Sequence, residues 1–276
     1  MKEGRRVIKI VAAGYVCIDY YPELGNRYYV TGNGVDVLFN ILKLRENKKD
    51  VESAIVSAVS DDTYGMQCIK EFEERNIDIS KLLVITGGKT PSVPVFLKNH
   101  DRIHGIPNRG VMKDFEFSDE IIDYITQFDI MHSDFTGKLI PHFEKIRKHG
   151  TKIFFDLSTS RNHPLAETVL KNIDYGLTSF EDNIEDAKRY ISYAVSQGVK
   201  VMIATLGVNG SIAFDGKKFY REQIVPAKNV VNTVGAGDSY FAGYISGWID
   251  NKSIEECMAM GSSLSSKVVS VFNPYL

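Results

Sequence analysis

The sequence predicts an α/β fold: a mostly parallel sheet with helices on both faces and a small β lid standing off it. Three observations lead there. Short apolar runs of strand length alternate with amphipathic stretches of helix length for most of the chain, the pattern of a sheet covered on both sides. Two segments, 15–31 and 92–106, break that alternation and have no helix to cover a second face. Towards the end, Val230-Val231 reads as a β-type segment that runs into the turn Gly235-Ala236-Gly237, followed by Phe241, Ile245 and Trp248 at helical spacing.

Residues 7–13 read as a buried first strand. Lys2, Arg5 and Arg6 before it look like the start of a signal peptide, but the apolar run is short and is broken by Lys9. Val35, Leu38, Phe39 and Leu42 share one face of a helix over 35–45. A strand at 54–59 precedes a helix at 64–75 that turns Cys68, Ile69 and Phe72 inward. Further strands are expected at 82–86, 128–132, 152–156, 175–178 and 201–205, with helices at 121–126, 141–149, 165–171 and 183–197 between them. Residues 15–31 are rich in Tyr and contain Pro22 and Gly25, and 92–106 alternate around Asn99-His100-Asp101; both read as antiparallel ribbon. Asp215-Gly216 predicts a tight hairpin between 211–214 and 218–221.

With 43% hydrophobic and 25% charged residues, the chain has the composition of a globular domain, and 276 residues suit one large α/β domain. A net charge of −2 gives no strong field for nucleic acid or an anionic membrane, so neither is expected as a partner. No run approaches the ~20 apolar residues of a membrane span. The three cysteines, Cys17, Cys68 and Cys257, are far apart and lack a Cys-x-x-Cys pair. They suggest neither a disulfide framework nor zinc, and point to the cytoplasm.

The stretch 232–239 carries the chemistry. The first N–H groups of a helix lack partners within it and lie at the positive end of its dipole. Gly235 and Gly237 would let a phosphate approach that backbone closely, and nothing downstream calls for glycine there on packing grounds. An acid in a first turn is commonly a structural complement to the dipole. Beside an anion hole, however, Asp238 is better suited to take a proton from an attacking hydroxyl.

Thr233-x-Gly235-Ala236-Gly237-Asp238 resembles the carboxy-terminal signature of ribokinase-like (PfkB) carbohydrate kinases. The resemblance implies one ribokinase-like domain over 1–276, with Asp238 as catalytic base and the Gly235, Ala236 and Gly237 amides as the anion hole. It also implies ATP and magnesium as cofactors and a small sugar as substrate. Gly14 and Asp19 resemble the family's sugar-contacting region, and Gly32-Asn33-Gly34 its glycine-rich amino-terminal signature. Val59-Ser60-Asp61-x-x-x-Gly65 is similar to a further family pattern. Thr205-Leu206-Gly207-x-x-Gly210 resembles the nucleotide-binding strand and turn, so Thr205, Gly207, Gly210, Thr233 and Lys267 are expected near ATP. Glu181 matches the Glu of the family's Asn-x-x-Glu motif and is expected to hold magnesium through water. By analogy a homodimer through the lid is expected.

Three positions depart from the pattern. Asn232 replaces an Asp that helps ligate potassium in activated members, which puts a monovalent cation in doubt. Thr178 replaces the Asn of Asn-x-x-Glu. Asp36 replaces a substrate-contacting Asn; its charge would favour a substrate with a cationic amine, unless it is a solvated acid at a helix start. Asp101-Arg102-x-x-Gly105 and Arg109-Gly110-Val111-Met112-x-Asp114-Phe115 look most like the fructoselysine 6-kinase branch. Arg102 then joins Asp19, Gly32, Asn33, Asp36 and Asp238 as a substrate-binding candidate, and the 6-hydroxyl of a fructosyl amino acid becomes the expected acceptor. The alternatives are a kinase of another sugar, a nucleoside or a vitamin alcohol, and a catalytically weak sugar sensor. Gly87-Gly88-Lys89-Thr90 lacks the earlier glycine of a P-loop, and His100 and His104 fall in a β turn rather than on a helix.

Overall fold

A computed structural model of the chain describes residues 6–98, 101–181 and 183–276, with the backbone alone described for Lys98, Asp101 and Arg102. The first half runs β1 (Ile8–Ala13), β2 (Cys17–Tyr21), β3 (Arg27–Thr31), α1 (Asn33–Arg45), β4 (Val51–Ser60), α2 (Thr63–Glu74), β5 (Asp78–Ile85), β6 (Ser92–Lys98) and β7 (Asp101–His104). The second half runs α3 (Asp119–Ile125), β8 (Ile130–Asp134), α4 (Phe143–Lys148), β9 (Lys152–Asp156), α5 (Ala166–Asn172), β10 (Tyr175–Ser179), α6 (Ile184–Ser196), β11 (Val201–Thr205), β12 (Ser211–Phe214), β13 (Phe219–Glu222), α7 (Ala236–Ile249) and α8 (Ile254–Val268).

Nine strands form the main sheet in the order β13-β12-β11-β10-β9-β8-β1-β4-β5. Pairing is parallel from β5 to β11, and β12 and β13 join as antiparallel strands. Strand alternation sorts the side chains into two apolar layers. Ile10, Ile130 and Phe154 pack with α1 and α7, whereas Val11, Met131 and Phe155 pack with α3 to α6. Helix α1 buries Val35, Val37, Leu38, Phe39 and Ile41, more than one face, because it lies against both the sheet and α7. Arg45 at its end is buried and meets Asp50 at 2.7 Å and Asp250 at 2.9 Å, which ties α1 to the start of β4 and the end of α7.

The two ribbons merge. Strands β2/β3 and β6/β7 are each antiparallel, and β2 pairs parallel with β6 to give a four-stranded second sheet, β3-β2-β6-β7. The carboxy-terminal segment runs between this sheet and the main body. Phe272 packs on Tyr21 at 5.2 Å between ring centres, and Tyr275 meets Phe39 edge-on at 4.9 Å.

Val230-Val231 is not a strand. Both valines are exposed in an irregular connector, and the Val231 and Asn232 amides donate to the Val269 carbonyl at the end of α8 rather than to a ladder. β-Branched residues favour a pleated surface only where a neighbouring strand provides one. Asn99 and His100, the expected tip of the β6–β7 ribbon, lie outside the described residues, as do Lys2 and Arg5.

Candidate active site

The carboxyl ends of β8, β9 and β10 and the amino ends of α1 and α7 converge on one side of the sheet, where ligands bind in open α/β folds. Gly235 caps α7 at φ 78°, and a Cβ on it would lie 2.2 Å from the Pro274 carbonyl oxygen. The expectation that packing makes no demand on this glycine is therefore corrected: the carboxy-terminal segment presses on it. Gly237 differs, with nothing within 4 Å of a Cβ built there. The Ala236 amide donates to the Thr233 carbonyl at 3.2 Å, which closes the turn. The Gly237 amide, in the first turn of α7, has no partner inside the helix.

Asp238 in that first turn belongs to a cluster of acids. Asn33, the first residue of α1, donates from Nδ2 to Asp238 at 2.5 Å and to Asp156 at 2.7 Å. Asp156 ends β9, and its register partner Asp134 ends β8. Burial, and then the charges of Asp156 and Asp134, hold the Asp238 carboxyl well above its usual range. Burial lifts Asp156 to about 6 although the Ser158 amide and Asn33 donate to it. Asp36 is buried on α1 with Oδ2 accepting from the Thr31 hydroxyl at 2.7 Å, and Oδ1 has no partner among the described residues. Burial and the Asp238 charge push its pKa strongly upward, so it is not a solvated helix-start acid. Asp19, buried on β2, has His104 Nε2 at 3.4 Å.

A cleft of about 460 Å³ adjoins the cluster. Thr205, Gly207, Gly210, Thr233 and Gly237 line it, and Val225, Val230 and Tyr240 give it apolar walls. Its size and mixed lining suit a nucleotide whose phosphates would reach Gly237. Lys267 is exposed on α8 and is not among the lining residues, although its neighbour Ser266 is. Gly32 caps α1 at φ 132°, where a Cβ would strike the Tyr15 carbonyl at 2.3 Å; its demand is on chain packing. The Arg102 side chain lies outside the described residues. Glu181 follows Ser179 and Phe180 of the cleft wall with its side chain exposed. No group of three ligating side chains occurs among the described residues. The exposed Glu181 carboxylate fits an ion that arrives with a nucleotide and is held through water. Thr178 is buried, and its hydroxyl donates to the Ser158 carbonyl at 2.9 Å.

Sequence reasoning missed Asp134 and Asp156 as site residues. The available signal was an acid closing each of two strands, Ile130–Asp134 and Lys152–Asp156.

The family model described as "pfkB family carbohydrate kinase" matches residues 24–276. The chain belongs to the pfkB family of carbohydrate kinases. It is 31% identical over 260 residues to the fructoselysine 6-kinase of Shigella flexneri, covering 94% of this chain and 97% of that protein. Its fold matches the structure of Arabidopsis thaliana ribokinase complexed with ribose and ATP, with a TM-score of 0.81, 20% identity, and 97% and 94% of the two chains covered. It also matches Methanocaldococcus jannaschii nucleoside kinase, with a TM-score of 0.76, 22% identity, and 98% and 94% covered. The α/β ribokinase-like fold is thus established for this chain.

Proposed function

We propose that this chain is an ATP-dependent kinase that phosphorylates the 6-hydroxyl of fructoselysine or a related fructosyl amino acid. The observation that carries the substrate is the near end-to-end likeness to a fructoselysine 6-kinase. Asp19 and Asp36, both buried, and the half-buried Asp238 support it, since carboxylates held out of bulk water favour a substrate that brings a cationic nitrogen. Nucleoside kinases share the fold, but that likeness, at 22% identity, concerns fold alone.

In this reading ATP occupies the cleft beside Gly237, and the sugar lies between Asp238 and the second sheet. Asp238 accepts the proton of the attacking hydroxyl, while the unpartnered first-turn amides meet the charge that builds on the transferred phosphoryl group. Asp19 accepts hydrogen bonds from sugar hydroxyls, and Gly32 borders the same pocket. Magnesium would neutralise ATP phosphate charge when bound, with Glu181 holding it through water. Closure of the second sheet excludes water and limits wasteful ATP hydrolysis. We further propose a cytoplasmic enzyme that dimerises through that sheet, by analogy with its fold.

Coupled ADP release across fructoselysine, fructose, ribose and nucleosides tests the reading. Fructoselysine should give the highest kcat/KM; a higher value for free fructose or for any nucleoside would reject the substrate assignment.

A further inference from the structure

We propose that Asn33 and Asp156 are positioning residues for Asp238: the Asn33 amide joins the two carboxylates, and the Asp156 charge makes Asp238 a stronger base. The proposal rests on the base role given to Asp238 above. A primary amide has two donor hydrogens. Asn33 commits them to Asp156 and Asp238, and its carbonyl oxygen is buried without a partner among the described residues. No donor hydrogen is left for a sugar hydroxyl, and only the Asn33 carbonyl oxygen stays open to accept from one. The bond pair fixes the Asp238 carboxylate at the start of α7 relative to α1 and β9. Asp156 is itself held, since the Ser158 amide donates to its other oxygen at 2.7 Å.

Among the described residues, the charged groups facing Asp238 are acids: Asp156 of β9, Asp134 of β8 and Asp36 of α1. His132 of β8 is buried, and burial drives its pKa to about 3, so it brings no compensating charge. Like charge opposes ionisation, so Asp238 binds a proton more firmly than a lone carboxylate. Firmer proton binding is greater base strength, and the proton it takes is the one the sugar oxygen gives up as the new O–P bond forms. The Asn33 bond acts in the opposite sense, because donation to a carboxylate favours its charged form. Asp156 therefore strengthens the base, and Asn33 places it.

The test is a 13C-NMR titration of aspartate carboxyl carbons in the full chain, with the Asp238 signal assigned by its loss in Asp238→Asn. Asp156→Asn should lower the Asp238 midpoint by about one pH unit or more. Asn33→Ala should raise it. A loosened or misfolded site would not move the two variants in opposite directions, and circular dichroism melts check that both are folded. An Asp238 midpoint unmoved by Asp156→Asn, or lowered by Asn33→Ala, overturns the proposal. With fructoselysine and ATP, Asp156→Asn should shift the acid limb of kcat/KM to lower pH with a plateau about tenfold lower. Loss of rate at every pH with a stationary limb would reduce Asp156 to a structural role. The titration needs no turnover: a wild-type chain inactive with every sugar would reject the kinase reading, and the NMR midpoints would still decide this one.

Discussion

One methyl group should act oppositely at Gly235 and Gly237. At Gly235, φ is +78°, a conformation that costs an L-residue roughly 1–2 kcal/mol. A Cβ there would also sit 2.2 Å from the Pro274 carbonyl, a backbone atom that cannot swing aside. Forcing the carboxy-terminal segment to shift adds an overpacking cost of roughly 1–3 kcal/mol. Gly235→Ala should therefore destabilise the chain by about 2–5 kcal/mol. Gly237 lies inside α7 with nothing within 4 Å of a built Cβ. Alanine is a better helix former than glycine, so Gly237→Ala should stabilise by about 0.5–1 kcal/mol. The same methyl would stand where a phosphate approaches the amide, so kcat/KM for ATP should fall at least about tenfold. Urea unfolding measures the first quantity and coupled ADP release at saturating sugar the second. Unchanged ATP kinetics in a stabilised Gly237→Ala chain would show that no phosphate comes near that amide. An unchanged unfolding midpoint for Gly235→Ala would show that Pro274 does not press on the turn.

Asp238→Asn keeps the side-chain shape and removes its basicity, so kcat should fall by ~10²–10⁴ with KM values moving far less; a folded variant retaining more than about a tenth of wild-type kcat contradicts a base of that size. Potassium should give little activation over sodium at equal ionic strength, because Asn232 is uncharged and its oxygen already accepts from the Val234 amide at 3.0 Å; a several-fold rise in potassium chloride would show that an amide suffices. Arg45→Ala should cost about 3–5 kcal/mol in urea unfolding, since it leaves the buried Asp50 without its guanidinium and the half-buried Asp250 with Lys48 alone. Burial opposes ionisation of Asp250, yet hydrogen bonds from Lys48 and Arg45 hold its pKa at about 2. Its folded pKa lies below the unfolded value, so this stabilisation is present above about pH 4 and is lost as the pH falls towards 2. Arg45→Ala should flatten that acid limb, and an unaltered limb would place the stabilisation elsewhere.

The elements that were easiest to read are those buried on both faces. Strands β9 and β11 occupy the expected 152–156 and 201–205, because a strand covered on both sides shows an unbroken apolar run. Strand β5 begins at Asp78, four residues before the expected 82, because it is an edge strand and its exposed residues interrupt the run. Both lid ribbons were legible from local alternation, but their parallel junction through β2 and β6 was not, since nothing local in either segment names its partner. Val230 and Val231 misled because strand propensity carries no information about whether a ladder is within reach.

The same division between local and distant causes runs through the site. Gly235-Ala236-Gly237-Asp238 was legible because a turn, a helix start and an acid lie within four consecutive residues. Why the first glycine is glycine was not legible, since the atom that forbids a side chain belongs to Pro274 at the far end of the chain. Asp134 and Asp156 each look unremarkable as the last residue of a strand. Parallel register makes them neighbours, and burial then keeps their charges from being screened by water. Asn33 stands out in the sequence only for the glycines beside it, but its chemistry is set by two acids brought in by other elements. A motif thus located the reacting group, whereas the strength of that group as a base depends on charges that only the folded sheet brings together.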